Sequence, residues 1–244
     1  MFPSPDPPTA ERSPARFLRN NHVFLGGTLL LVAYQAWVLW HSLQGDTLLA
    51  INKLRTPFLD VFFKIGTHFA EPVAYVAVVL IVAAFSYRRA IFCAVAGAVA
   101  GISAGLLKAY FSEARPMRWF FDNFPEMWNT LVRFETEWTS WAETSSFPSG
   151  HTASAFALYG FLSFNARTRR HWVALGCFLI AAMVGYSRIY LLYHFLRDVT
   201  AGALLGLLCG VVTYYLQHAS RLHYPTLDRG WWADHQRWRS GSWS

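Results

Sequence analysis

Two histidines and an aspartate, His151, His194 and Asp198, stand out in a chain that is only 14% charged. A neutral imidazole is a base or a nucleophile near physiological pH. Asp198 follows His194 by four residues, so a helix places them on one face. A carboxylate there holds one ring nitrogen as N–H and leaves the other free. Lys108 and Arg115 lie seven residues apart, about two helical turns, and Pro116 ends the helix at Arg115. Arg188 precedes His194 by six residues, which is off-face on a continuous helix. A break is therefore expected around Leu191–Tyr193. In the stretch Pro148-Ser149-Gly150-His151, Ser149 and Gly150 suit a helix N-terminus. Such a terminus offers unpaired N–H groups and the positive end of a dipole to an anion.

Each group alone has a plainer reading. Lys108 can snorkel to lipid headgroups, His151 can be incidental beside a helix cap, and His194 with Asp198 can be a local ion pair. Together, one lysine, two arginines and a helix N-terminus form a receptacle for a multiply charged oxyanion, and phosphate fits best. The two imidazoles and the carboxylate then supply a nucleophile, an acid and an orienting group. No Asp, Glu or His cluster has metal-ligand spacing, so neither a metal nor a cofactor is expected.

The elements that must hold these residues are apolar. The chain has 244 residues, 54% of them hydrophobic. Its apolar blocks approach the roughly 20 residues that cross a bilayer. Six spans are read at about 22–43, 70–86, 90–111, 150–166, 172–190 and 198–217. A large soluble helical protein is the rival reading. The net charge of +7 raises the question of nucleic acid, but its distribution fits a membrane. Arg12, Arg16 and Arg19, then Arg88 and Arg89, then Arg167, Arg169 and Arg170, then Arg221, Arg229, Arg237 and Arg239 all fall on one side of a six-span chain. The positive-inside rule puts that side in the cytoplasm with both termini. The 44–69, 112–149 and 191–197 connections then face outward. No nucleic-acid partner is expected.

The predicted fold class is all-α: a six-transmembrane-helix bundle with an amphipathic interfacial segment between helices three and four. In that segment Phe120, Phe124, Met127, Leu131, Phe134, Trp138 and Trp141 recur at helical spacing. Residues 1–21 are expected to be disordered, and span one to be a retained anchor rather than a cleaved signal. Residues 22–217 form the membrane domain. Residues 218–244 form a basic, aromatic cytoplasmic tail with Trp231, Trp232, Trp238 and Trp243 as interfacial anchors. Cys93, Cys177 and Cys209 lie inside spans and read as buried apolar residues without disulfides. Gly97, Gly101 and Gly105 on span three and Gly202, Gly206 and Gly210 on span six suggest two small-residue faces packed on each other.

The three polar motifs together resemble the type-2 phosphatidic acid phosphatase superfamily, whose signature is K-x6-RP, PSGH and SR-x5-H-x3-D. Here it reads Lys108 to Arg115-Pro116, then Pro148-Ser149-Gly150-His151, then Ser187-Arg188, His194 and Asp198, complete and in order. The resemblance covers roughly residues 70–217 and implies a six-span architecture. It implies that His194 attacks phosphorus, that Asp198 orients it, and that His151 protonates the leaving group. It assigns Lys108, Arg115, Arg188, Ser149 and the Gly150 N–H to a phosphate cradle that needs no metal. The implied substrate is a lipid phosphate within a membrane: polyprenyl diphosphate, phosphatidylglycerophosphate, phosphatidate or lipid A. Polyprenyl diphosphate comes first on family breadth alone. The implied location is a bacterial inner membrane with a periplasmic site, in a monomer or a homodimer. The competing functions are a lipid phosphotransferase using the same phosphohistidine and a non-catalytic lipid-binding protein.

Overall fold

The computed structural model describes residues 13–133, 145–219 and 226–232, which are helical with no strand among them. Ten α-helices follow in order: α1 (Pro14–His41), α2 (Asp46–Lys53), α3 (Pro57–Thr67), α4 (Pro72–Phe85), α5 (Tyr87–Phe111), α6 (Pro116–Asn123), α7 (Pro125–Thr130), α8 (Gly150–Phe164), α9 (Arg170–Tyr190) and α10 (Leu196–Ala219). Prolines open α1, α3, α4, α6 and α7, where the missing N–H costs nothing. Hydroxyls also cap starts: Thr56 accepts from Leu59 N at α3, beside its proline, and Ser86 accepts from Arg89 N at α5.

Among the described residues, four stretches are long and apolar enough to cross a membrane: Pro14–His41, Tyr87–Asn123, Arg170–Tyr190 and Leu196–Ala219. A fifth arises if α3, with the 3₁₀ turn after it, and α4 are counted as one span bent by 56°. The 15 residues of α8 reach only about 22 Å, short of the roughly 30 Å hydrocarbon core. Helix α8 is instead enclosed: Ala153, Ala155, Ala157 and Leu158 are wholly buried among α5, α9 and α10.

Several expectations change. Residues 14–21 are not disordered but form the first turns of α1, started by Pro14. Residues 1–12 lie outside the described part. The 44–69 connection holds two helices, α2 and α3. In the 117–147 segment, Pro125 opens a new helix and breaks the apolar stripe. Phe120 and Leu131 are buried and Trp128 joins them, whereas Phe124 and Met127 are exposed. Phe134, Trp138 and Trp141 lie outside the described residues, as do Trp238 and Trp243. All three cysteines are free. Ahead of Trp231 and Trp232, which are exposed, Leu227 and Arg229 carbonyls accept from the Arg88 and Tyr87 N–H groups at the α4–α5 turn.

The two glycine faces do not meet. A Cβ at Gly202 would stand 2.6 Å from the Ser149 carbonyl oxygen, and one at Gly210 would stand 3.2 Å from that of Ala157. A Cβ at Gly206 would overlap the Ala153 carbonyl. The α10 ladder therefore packs on α8, in parallel and in register. On α5, Gly97 faces Tyr75 of α4, and nothing lies within 4 Å of a Cβ at Gly101 or Gly105. The packed face of α5 is an alanine row, Ala96, Ala100 and Ala104, at most 2% exposed. Each glycine is one residue further on, so it is turned about 100° away from that row.

Above this seam, Phe120, Trp128 and Leu131 pack with Leu48 and Ile51 of α2 onto the turn Ile189–Leu192 and Phe195. The turn between α9 and α10 is thus clamped from outside by α2, α6 and α7.

Candidate active site

The starts of α8 and α10 lie side by side. Ser149 is the N-cap of α8, and its Oγ accepts from Thr152 N–H and from Thr152 Oγ1 at 2.9 Å. Its own N–H donates to the Asp198 carbonyl at 2.9 Å. A Cβ on Gly150 would lie 4.0 Å from Lys108 Nζ. The ammonium from the end of α5 therefore sits over the first turn of α8. The N-terminal N–H groups and the lysine charge act on the same space.

The expected break is present. Helix α9 ends at Tyr190 and α10 begins at Leu196. Leu192 takes a left-handed conformation with φ of 62°. The Arg188 carbonyl accepts both Tyr193 N–H at 3.0 Å and His194 N–H at 3.1 Å. One carbonyl thus folds the chain back and brings His194 to the side chain of Arg188, from which a continuous helix would have turned it away. The Arg188 guanidinium is buried, donates to Thr67 Oγ1 at 2.8 Å and stacks 4.2 Å over the Tyr193 ring. Its position is fixed by α3 and by the turn itself.

His194 is 1% exposed and Asp198 is fully buried. His194 Nδ1 stands 3.5 Å from Asp198 Oδ2, an ion-pair distance longer than a hydrogen bond. That oxygen also accepts Phe195 N–H at 3.0 Å and Ser146 Oγ–H at 2.5 Å. The Phe195 contact is half of a capping box, so Asp198 starts α10 and faces His194 at once. His194 lies between the spanning helices. Burial first, and then the charges of Arg188, Arg115 and Lys108, hold its pKa well below the ordinary 6.5; the Ser146 backbone opposes this weakly. Both effects disfavour the protonated ring.

Arg115 follows the end of α5 in extended conformation, as Pro116 requires, and donates to Ser145 Oγ at 3.3 Å. His151, in the first turn of α8, is within electrostatic reach of Arg188, His194, Lys108 and Arg115. All eight residues singled out from the sequence therefore gather at one end of the bundle. Among the described residues no group of three or more His, Cys, Asp or Glu could hold a metal ion.

Sequence reasoning missed the supporting residues. Ser146 is wholly buried and donates its N–H to the Glu113 carbonyl at 3.0 Å. Glu113 Oε2 pairs with Arg197 Nη2 at 2.5 Å, and Arg197 Nε lies 3.6 Å from Asp198 Oδ1. Thr67 holds Arg188. Glu113 and Arg197 carried a signal, since ionisable residues at membrane boundaries are costly. Ser146 and Thr67 carried none.

Comparison with known proteins follows the same residues. The model of the PAP2 superfamily matches residues 89–222. The lipid A 1-phosphatase of Porphyromonas gingivalis is 36% identical over 72 residues, 30% of this chain and 16% of that protein. The bacitracin transport permease protein BcrC of Bacillus licheniformis is 33% identical over 125 residues, 51% of this chain and 54% of that protein. The chain thus spans about half the length of these curated relatives, or less. The crystal structure of Aquifex aeolicus LpxE superimposes with a TM-score of 0.59 at 27% identity, covering 70% of this chain and 94% of that one. The PAP2-type phosphatidylglycerolphosphate phosphatase of Bacillus subtilis shares the fold at 22% identity with a TM-score of 0.58, over 84% of this chain and all of that one. With the family's match running from α5 through α10 and across every element of the site, the chain belongs to the PAP2 superfamily.

Proposed function

We propose that this protein is an integral membrane phosphatase that hydrolyses the phosphomonoester or diphosphate of a lipid through a phosphohistidine. The observation that carries this is the gathering of Lys108, Arg115, Arg188 and the α8 N-terminus around a buried, neutral His194, with His151 beside it. His194 Nε2 attacks phosphorus, the bond from phosphorus to the leaving oxygen breaks, and His151 protonates that oxygen. Asp198 stabilises the Nδ1–H of the phosphorylated ring. Water then attacks the phosphohistidine while His151 takes its proton, and inorganic phosphate leaves with His194 restored. Charge on the transferred group spreads over its equatorial oxygens, where preorganised cations and N–H groups act most strongly. These residues complete the cycle without a metal.

Counting the bent α3–α4 pair and α8 with the four longer stretches makes six spans. The basic turns lie at the end away from the site, so the site faces outward, periplasmic in a bacterial inner membrane. An apolar groove of about 810 Å³, lined by Leu31, Phe62, Met183, Ile189, Leu196 and Val199, runs beside the α9–α10 turn and suits a lipid tail. The names of the relatives speak for lipid A, phosphatidylglycerolphosphate and general lipid phosphates. Polyprenyl diphosphate remains a candidate on family breadth.

The test is release of inorganic phosphate by the purified protein across a panel of these lipids. Turnover is expected with EDTA present, inhibition with vanadate, and none in His194→Ala. Strict metal dependence, or a wild-type rate in His194→Ala, overturns the mechanism. Phosphoryl transfer to an added alcohol in preference to water would make the protein a phosphotransferase.

A further inference from the structure

We propose that the apolar groove behind α10 holds one fatty-acyl chain of a diacyl phospholipid of the surrounding bilayer, and that Gln35 binds the ester carbonyl at the head of that chain. The proposal does not depend on the phosphatase reading. The groove, of about 810 Å³, has α9 and α10 as its floor. Leu31 and Val38 of α1 stand on one side of it and Phe62 and Phe63 of α3 on the other. Ile51 of α2 closes the end nearest the α9–α10 turn. No charged residue is among the lining residues, so the ligand that fits is neutral along this length.

Gln35 is at odds with this apolar surface. It lines the groove and is only 7% exposed. Its Oε1 accepts Thr200 Oγ1–H of α10 at 3.1 Å. Among the described residues its Nε2 has no hydrogen-bond partner. A buried amide left half-paired is costly, the more so between membrane helices, where water does not reach it. With Oε1 held by α10, Nε2 is left to the groove, where a carbonyl on an apolar ligand would pair it. The depth of Gln35 suits an ester. Trp37 and Trp40, near the end of α1, are exposed, as tryptophans are at the headgroup level. Gln35 precedes them by two and five residues, about 3 and 8 Å deeper along the helix. The ester carbonyls of a glycerophospholipid lie just beneath its headgroup, where the chains begin. A prenyl chain carries no such group.

The occupant is a bystander rather than the reacting lipid. Thr200 follows Asp198 by two residues, so α10 turns it about 200° from the side of the carboxylate. Gln35 and the groove lie beyond Thr200, across the helix from His194. The inner wall of the groove is closed as well. A Cβ at Gly185 would stand 3.2 Å from Val199 Cγ1 and 3.4 Å from Thr152 Cγ2. Gly185 and Val199 line the groove, and Thr152 belongs to the first turn of α8. Helices α8, α9 and α10 therefore meet between the groove and the candidate active site.

The test is native mass spectrometry of the full chain in detergent, with added diacyl phosphatidylcholine or its diether analogue of equal chain length. The two lipids differ only in the carbonyls, and neither has a phosphomonoester to hydrolyse. A neutral hydrogen bond is worth about two- to tenfold in affinity, so wild type should prefer the diacyl lipid by that factor. Gln35→Leu should bind both lipids alike, at the level of wild type with the diether. Ala182→Phe, which fills the groove, should also abolish the preference. Equal binding of the two lipids by wild type overturns the proposal, and that comparison needs no variant to fold. A preference that survives in either variant overturns it too, since the carbonyl is then bound elsewhere. In His194→Ala, added diether phosphatidate should leave diacyl phosphatidylcholine in place. Its displacement would make the groove part of the reacting lipid's site and overturn the bystander assignment.

Discussion

Ser146 Oγ donates a 2.5 Å hydrogen bond to Asp198 Oδ2, the same oxygen that stands 3.5 Å from Nδ1 of His194. Ser146 thus orients the group that orients the proposed nucleophile. Hydrogen bonds to charged groups contribute about 1.5–3 kcal/mol. Ser146→Ala should therefore lower kcat by about 10- to 100-fold with KM little changed, and Ser146→Thr should recover part of it. An equal rise in KM would point to substrate binding instead, and a kcat within twofold of wild type would remove Ser146 from the machinery.

As the proposed nucleophile, His194 must be neutral. Burial and the charges of Arg188, Arg115 and Lys108 hold its pKa well below 6.5, so kcat/KM should show no His194 protonation limb at or above that pH. The stability effect has the matching sign. A histidine whose folded pKa is depressed binds its proton more readily in the unfolded chain, so stability falls as pH drops below about 6.5. A pH–rate profile on a soluble short-chain substrate checks the first statement. An acid limb above 6.5 in the wild-type profile would contradict it.

Gly206 and Gly101 look alike in the sequence and differ in the structure. A side chain at Gly206 would enter the Ala153 carbonyl, whereas nothing lies within 4 Å of a Cβ at Gly101. Overpacking a tight contact costs about 1–3 kcal/mol, and here it also displaces Asp198 from Ser149. Gly206→Leu should lower thermal stability and reduce activity by on the order of a hundredfold. Gly101→Leu should match wild type in both assays. A reversed pattern would mean that the packed faces are wrongly assigned.

Glu113 and Arg197 form a half-exposed ion pair, with side chains 36% and 34% accessible. Such pairs contribute about 0.2–1 kcal/mol. Glu113→Gln should therefore shift stability only slightly. Its effect on rate should be larger, because the pair ties the loop after α5, and with it Ser146, to α10. The charge-swapped double variant E113R/R197E should recover rate if the tie matters and the direction of the charges does not. Rates additive across the two single variants would show no coupling.

The site was legible because its chemistry restricts residue type. Lysine, arginine, histidine and aspartate at a membrane boundary carry a cost that only a partner or a function offsets. Helix ends were legible for a similar reason: Ser149, Pro116 and the mismatch between Arg188 and His194 each exclude a continuous helix. The partner of a small-residue face was not legible. Spacing shows that Gly202, Gly206 and Gly210 share a side of α10, but α5 and α8 both offer small residues, and only packing selects α8. Ser146 was hidden because a buried serine has no periodicity to mark it. The stripe from Phe120 to Leu131 failed where Pro125 restarts the helix, a signal that was present in the chain and outweighed by the spacing of apolar residues.

The seam between α8 and α10 also has a mechanical consequence. Its rungs place backbone against backbone at three successive levels, from Gly202 on Ser149 to Gly210 on Ala157. One helix cannot slide along the other by less than a full rung without driving a Cα into a carbonyl. The helices that carry His151 and Asp198 therefore move as a single rod. On the proposed function, any breathing that admits a lipid phosphate or expels its product comes from the flanking elements, α1, α3 and the short helices above the turn.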